Sequence, residues 1–188
     1  MNDTDKKVVT IFGSATPQTG SDEYDLAYML GKELALAGFA ICNGGYAGTM
    51  EAAAKGAKDS GGTTYGVTTS VFTGTANRWI EEEIREQSPI DRLMKLVSLG
   101  DAYVILPGGT GTLLELAAVW ELMNKGMLQQ KPTIIVGPFW EFIVNTMNEK
   151  LIVEGRENAA TLIRSAKTPY DCVRIISDEF HRMNQEAP

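Results

Sequence analysis

This 188-residue chain has few of the groups that metal or nucleophile chemistry requires. Its single histidine, His181, lies in the polar C-terminal stretch, which leaves no His-rich metal site and no Ser-His-Asp triad. The two cysteines, Cys42 and Cys172, are far apart and lack CxxC or metal-ligand spacing. They are expected to be inert buried thiols, with no metal bound. Basic charge is also scarce: 17 Lys and Arg against 24 Asp and Glu give a net charge of −7. A surface that tracks a nucleic-acid backbone needs the opposite sign. A small anion is still compatible, because a loop and one or two cations suffice to hold it. No apolar run reaches the length of a membrane span, and the polar start, Met1 to Lys7, is not a secretory leader. A cytoplasmic protein with no nucleic-acid or membrane partner is therefore expected. Linkers, repeats and low-complexity segments are absent. Residues 1–188 read as one α/β domain with a polar tail over about 1–6 and a C-terminal helix over about 170–184.

What the chain does contain is alternation of strand-like and helix-like segments. Lys7 to Phe12 is β-branched and ends at Gly13-Ser14. A helix capped by Ser21 or Asp22 follows, with Tyr24, Leu26, Ala27, Leu30, Leu34 and Ala37 at helical spacing and Gly38 as its stop. Phe39 to Cys42 predicts a second strand, Met50 to Lys58 a helix packed on a sheet through Ala53, Gly56 and Ala57, and Thr63 to Val67 a third strand. Residues 68–88 lack periodicity. They predict either a substrate-covering or interface loop, or a solvated acidic segment around Glu81-Glu82-Glu83. Ser88-Pro89 then starts a helix with a cap and a proline at its first position. Asp101–Leu106 and Lys131–Val136 are further strands, and Gly111–Asn124 is the helix between them. Phe139–Leu151 is a helix with Trp140, Phe142, Ile143 and Met147 expected inward. Thr161 to Ile163 is a last short strand, and Tyr170 to Met183 an amphipathic helix. Such alternation predicts a Rossmann-like, doubly wound parallel sheet with helices on both faces. Its ligand crevice would lie at the carboxyl ends of the strands.

Two glycine loops open helices in this order. The first is Asn43-Gly44-Gly45-Tyr46-Ala47-Gly48-Thr49-Met50-Glu51, and the second is Pro107-Gly108-Gly109-Thr110-Gly111-Thr112-Leu113-Leu114-Glu115. Glycines permit a sharp turn and close backbone approach, and a helix N-terminus presents free N–H groups to an anion. Neither loop is a dinucleotide fingerprint: the first follows the second strand, and no acidic ribose partner ends the next one. Neither is a P-loop, which needs a Gly-Lys-Ser/Thr ending. A single phosphate suits them better. One turn into the second helix stands Glu115.

These paired signatures resemble those of the Lonely Guy family of nucleoside 5′-monophosphate phosphoribohydrolases, many once labelled putative lysine decarboxylases. The likeness spans roughly residues 7–150 and includes Gly13-Ser14 and Arg92, nine residues before Asp101. It implies hydrolysis of the N-glycosidic bond of AMP or an N6-modified, cytokinin-type relative to free base and ribose 5-phosphate, with no cofactor beyond the bound nucleotide or phosphate. Catalytic roles would fall to Glu115 and Arg92. The nucleotide would be held by Gly13, Ser14, Gly44, Gly45, Gly48, Met50, Gly108, Gly109, Thr110, Gly111 and Thr112. A carboxylate there stabilises oxocarbenium charge or activates water. Met50 reads equally as a core methionine, and Glu51 as a cap of its own helix. The chain departs from the family pattern at Asn43 (a glycine in many members), Leu93 (often lysine) and Leu114 (often acidic, so that one carboxylate would be lost from the site). The alternative is a non-catalytic binder or carrier of a phosphorylated small molecule such as a nucleotide or the molybdenum cofactor. Decarboxylation would require a Schiff-base lysine; Lys32, Lys55, Lys58, Lys95, Lys125 and Lys131 have no suitable context. The resemblance also implies a homodimer or higher homo-oligomer; Trp120, Met123, Met127 and Leu128 are candidate contributors, since periodicity reads them equally as interface or as core.

Overall fold

In a computed structural model, residues 6–72 and 74–186 are described. Seven strands form one all-parallel sheet: β1 (Val8–Phe12), β2 (Ala40–Asn43), β3 (Thr64–Thr69), β4 (Glu82–Glu86), β5 (Ala102–Ile105), β6 (Thr133–Val136) and β7 (Arg164–Ala166). Their spatial order is β4-β3-β2-β1-β5-β6-β7. The chain therefore winds outward from β1 in one direction, returns, and winds outward from β5 in the other. The carboxyl ends of β1 and β5 lie side by side, Phe12 paired with Ile105 and the Leu106 N–H donating to the Phe12 carbonyl at 2.9 Å. Their following loops diverge at this switch point, which opens a crevice between them.

Helices cover both faces, as the alternation predicts. One side carries α1 (Asp22–Leu36), α2 (Thr49–Asp59) and α7 (Pro169–Glu186), packed on Val9, Ile11, Ile41 and Val104. The other carries α3 (Pro89–Leu99), α4 (Thr110–Asn124), α5 (Glu141–Val153) and the short α6 (Glu157–Ala160), packed on Phe12, Tyr103, Ile105 and Ile135. The caps follow local chemistry. The Ser21 hydroxyl accepts the Tyr24 N–H, and the Ser88 hydroxyl accepts the Asp91 N–H ahead of Pro89. Among the described residues no helix is long and apolar enough to cross a membrane.

Several expectations need correction. Residues 68–88 contain a strand, β4, which pairs with β3 from Tyr65↔Glu82 to Thr69↔Glu86. Its sequence, Glu-Glu-Ile-Arg-Glu, lacks apolar alternation because it is an edge strand, where charge discourages further pairing. The final strand is Arg164–Ala166, a few residues later than expected, because residues 157–160 form α6. In α5 Val144 and Leu151 are buried and Ile143 packs partly against the core as expected, whereas Phe142 is 80% exposed and Met147 also points outward. Trp140 is buried just ahead of α5, where its indole N–H donates to the Leu106 carbonyl at 2.8 Å. The small residues of α2 serve helix packing more than sheet packing. A Cβ on Gly56 would lie 2.0 Å from the Tyr28 carbonyl oxygen, and one on Gly31 2.0 Å from that of Ala53, so α1 and α2 touch backbone to backbone. Trp120 and Met123 are core residues rather than surface ones, the Trp120 N–H donating to the Ala159 carbonyl at 2.9 Å. Met127 is exposed and Leu128 is partly buried against the core.

Candidate functional site

At the switch point lies a cavity of about 810 Å³, within the range of small-molecule sites. Its floor is the loop after β1, Gly13 to Ala15; one wall is the start of α2 with Tyr46, Met50 and Glu51; the opposite wall is the α4 N-terminus. The strap between β3 and β4 lines the remaining side.

The α4 N-terminus opens into this cavity. Gly109 is its N-cap, without a side-chain cap, and the first intrahelical bond is donated by Leu113 to the Gly109 carbonyl. The preceding N–H groups of the first turn have no partner within the helix. Gly109, Thr110, Gly111 and Thr112 all line the cavity, with Ser14 across from them.

One turn deeper, Glu115 enters the same cavity with a side chain only 15% exposed. Burial disfavours its charged form and pushes its pKa up to about 7, although the Arg92 guanidinium pulls the other way. The two groups are 3.9 Å apart, Nη1 to Oε1, a charge contact rather than a tight hydrogen bond. Arg92 is fixed from its other side: Nε donates to the Val67 carbonyl at 2.7 Å, and the guanidinium carbon lies 5.5 Å from the Tyr46 ring centroid. Arg92 is thus a largely buried, oriented cation and not a solvated helix charge.

The sequence-predicted residues divide into two groups. Gly13, Ser14, Met50, Arg92, Gly109, Thr110, Gly111, Thr112 and Glu115 converge on the cavity. Gly44, Gly45, Gly48 and Gly108 do not line it; they shape what does. A Cβ on Gly44 would lie 1.8 Å from Arg92 Nη2, so this glycine makes room for the cation. Gly45 and Gly48 have φ of +77° and +70°, which L side chains avoid, and Gly48 also abuts the Ser14 carbonyl. Gly108 leaves space for the Thr112 hydroxyl.

The departures from the family pattern also find places. Asn43 is fully buried, its amide donating to the Met50 carbonyl at 3.0 Å and its oxygen accepting the Gly45 N–H at 2.8 Å, so the side chain ties the loop together. Leu93 is in the core and Leu114 is half exposed; neither lines the cavity of this chain. The second carboxylate that lines the cavity is Glu51, from the first loop.

Sequence reasoning offered residues 68–88 as a substrate-covering loop among its alternatives, but it assigned no site role to Phe72, Thr75, Asn77 or Tyr46 individually. The one available signal was aromatic and polar residues in a long aperiodic stretch. Among the described residues no cluster of His, Cys, Asp or Glu is arranged to hold a metal. Both cysteines are buried free thiols whose pKa is raised by burial to about 12.

The fold and cavity define a Rossmann-like α/β protein in which a helix N-terminus and a largely buried carboxyl group share one site. Within that class, the chain belongs to the SLOG cluster4 family, whose model matches residues 6–173. A cytokinin riboside 5′-monophosphate phosphoribohydrolase of Rhodococcoides fascians is 34% identical over 134 residues, covering 69% of this chain and 67% of the relative. One from Mycobacterium tuberculosis is 31% identical over 137 residues, covering 71% and 72%. Among solved structures, the molybdenum cofactor binding protein of Rippkaea orientalis superposes with a TM-score of 0.74 at 24% identity, covering 93% of this chain and 98% of that one. The molybdenum cofactor carrier protein of Chlamydomonas reinhardtii gives 0.72 at 21%, covering 94% and 99%. These two likenesses show the fold.

Proposed function

We propose that this protein hydrolyses the N-glycosidic bond of a purine nucleoside 5′-monophosphate, AMP or an N6-modified relative, giving free base and ribose 5-phosphate. The observation that carries the reading is Glu115: a carboxyl group with a pKa of about 7 lining the same cavity, one helical turn from N–H groups that have no partner within the helix and no side-chain cap among the described residues. A 5′-phosphate held by Gly109 to Thr112 and the Ser14, Thr110 and Thr112 hydroxyls brings the ribose alongside that carboxyl group. Departure of the base develops positive charge at C1′, which the ionised form of Glu115 stabilises. Water then adds to C1′; the proton it loses passes to Glu115 and from there to the departing base, so the products are free base and ribose 5-phosphate and the carboxylate is regenerated. A group titrating near neutrality suits such proton traffic. Arg92 orients Glu115 or binds a ribose hydroxyl. The names of the two phosphoribohydrolase relatives support the same reading. The reaction consumes only water, so no cofactor enters it.

The decisive experiment is chromatography of a nucleotide panel with the wild-type protein and Glu115→Gln. The expected result is free base from AMP with the wild type, and at least a hundredfold less with the variant while AMP still binds. AMP binding without base release would overturn the activity.

A second reading is a carrier of a nucleotide or other phosphorylated small molecule, such as the molybdenum cofactor, without turnover. What favours it is the absence, among the described residues, of any hydrogen bond holding the Glu115 carboxyl group. It requires a ligand that copurifies, found by mass spectrometry after denaturation.

A homodimer belongs to the same proposal. Ile90 and Met94 on α3 and Leu113 and Leu114 on α4 are exposed apolar side chains on the two helices that carry Arg92 and Glu115. A cytoplasmic location is also part of it.

A further inference from the structure

The half of the cavity away from the α4 N-terminus is walled by a strap, described over residues 70–72 and 74–80, that the phosphate chemistry leaves unexplained. Phe72, Gly74, Thr75, Ala76 and Asn77 of this strap face the cavity. It is fastened to the first glycine loop through one side chain. The Asn77 amide nitrogen donates to the carbonyls of Gly45 and Tyr46 at 3.0 and 2.8 Å, and its oxygen accepts the Trp79 N–H at 3.0 Å. The Asn77 backbone N–H adds a 2.7 Å bond to the Gly45 carbonyl. Both amide protons are therefore engaged.

Tyr46 is similarly occupied at its polar end. Its hydroxyl accepts the Thr69 N–H at 2.9 Å and faces the Thr69 carbonyl at 3.3 Å. Its ring meets Phe72 edge-on, with centroids 6.0 Å apart and planes at 62°. Phe72 itself is 45% exposed. The polar atoms of Asn77 and the Tyr46 hydroxyl are thus turned into the scaffold, while aromatic surface is left toward the cavity. Charge is sparse as well: among the described lining residues Arg92 is the sole cation, against Glu51 and Glu115.

We propose that the Tyr46–Phe72 wall is the base subsite of this protein, gripping the face of a flat heteroaromatic ring rather than reading the hydrogen-bonding edge. The ligand is a monophosphate carrying a purine, with adenine and guanine accepted alike. Phe72 determines this specificity: base–aromatic stacking is sequence-tolerant because every base has a π face. Among the described strap residues Thr75 is the one hydroxyl that lines the cavity, and a hydroxyl adapts to donor or acceptor edges equally.

This inference rests on the nucleotide reading above but concerns binding, so the two can fail separately. Calorimetric titration of AMP, GMP and ribose 5-phosphate into Glu115→Gln measures binding without turnover. AMP and GMP should bind within about fivefold of each other. Adding Phe72→Ala should weaken both roughly tenfold and leave ribose 5-phosphate within about twofold, while Phe72→Tyr, which keeps the ring, should retain purine binding. Circular dichroism of each variant confirms that it is folded. An unchanged AMP affinity in Phe72→Ala, an equal loss for ribose 5-phosphate, or a hundredfold preference between AMP and GMP would overturn the subsite. Ring-dependent AMP binding with no base release from the wild type would overturn the hydrolase and leave the subsite standing. Base release with a Phe72-independent affinity would do the reverse.

Discussion

Gly44 and Arg92 occupy a space that only one of them can fill with a side chain. A Cβ at Gly44 would sit 1.8 Å from Arg92 Nη2 and 2.6 Å from the Met50 sulfur, both of them side-chain atoms. The glycine loop after β2 and the guanidinium from α3 are therefore fitted to each other. A loop that looks built to cradle phosphate is, at this position, a seat for a cation.

Gly44→Ala should consequently spare the fold and damage the site. The clash is with the ends of flexible side chains, and Gly44 has no positive φ, so the melting temperature should move by only a few degrees. Base release should fall at least tenfold, since misplacement of a catalytic group by about 1 Å can cost a hundredfold. Arg92→Lys should fare no better, because an ammonium cannot reproduce the planar guanidinium held by Val67 and Tyr46. Activity near wild type in both variants would remove Arg92 from the site.

Glu115 carries a stability cost that depends on pH. Its folded pKa of about 7 lies above the ordinary 4.5, so the unfolded chain loses this proton first as pH rises. Between about pH 4.5 and 7 the folded state binds more protons than the unfolded state, and stability contributed by this group falls with rising pH. Glu115→Gln removes the titration. Urea unfolding should find the variant more stable than wild type at pH 8, by on the order of 1–3 kcal/mol, with little difference at pH 4. A stability gap that does not change with pH would contradict the buried charge.

The contact between α1 and α2 gives a purely structural prediction. Gly56→Ala places a methyl 2.0 Å from the Tyr28 carbonyl oxygen, a backbone atom that cannot rotate away. The better helix propensity of alanine is outweighed by the forced separation. A loss of about 1–3 kcal/mol in urea unfolding is expected. Stabilisation instead would mean that the helices are not in backbone contact.

If the exposed apolar residues of α3 and α4 meet a second copy, Ile90→Glu combined with Met94→Glu should convert a dimer to a monomer in sedimentation equilibrium, with helicity unchanged. Both residues are about half exposed or more, so neither holds up the core. A wild-type monomer, or an unaltered dimer in the variant, would refute this surface.

Much of this protein was determined locally. The β-branched runs of β1, β5 and β6, the Ser21 and Ser88 caps and the positive-φ glycines are decided by neighbours in sequence, and their alternation implies a parallel sheet with covered faces. Glu115 and the α4 N-terminus were legible because helical spacing alone fixes their relation. Only the tertiary structure decided the rest. β4 exists because β3 offers it an edge, despite five residues with no apolar alternation. Arg92 is oriented by Val67 and Tyr46 from two other elements, and the strap reaches the cavity because Asn77 bonds to backbone some thirty positions earlier. Phe142 and Met147, placed inward by hydrophobicity, face outward because Trp140 and Val144 fill that part of the core. Periodicity records which residues share a face; which face is buried depends on what packs against it.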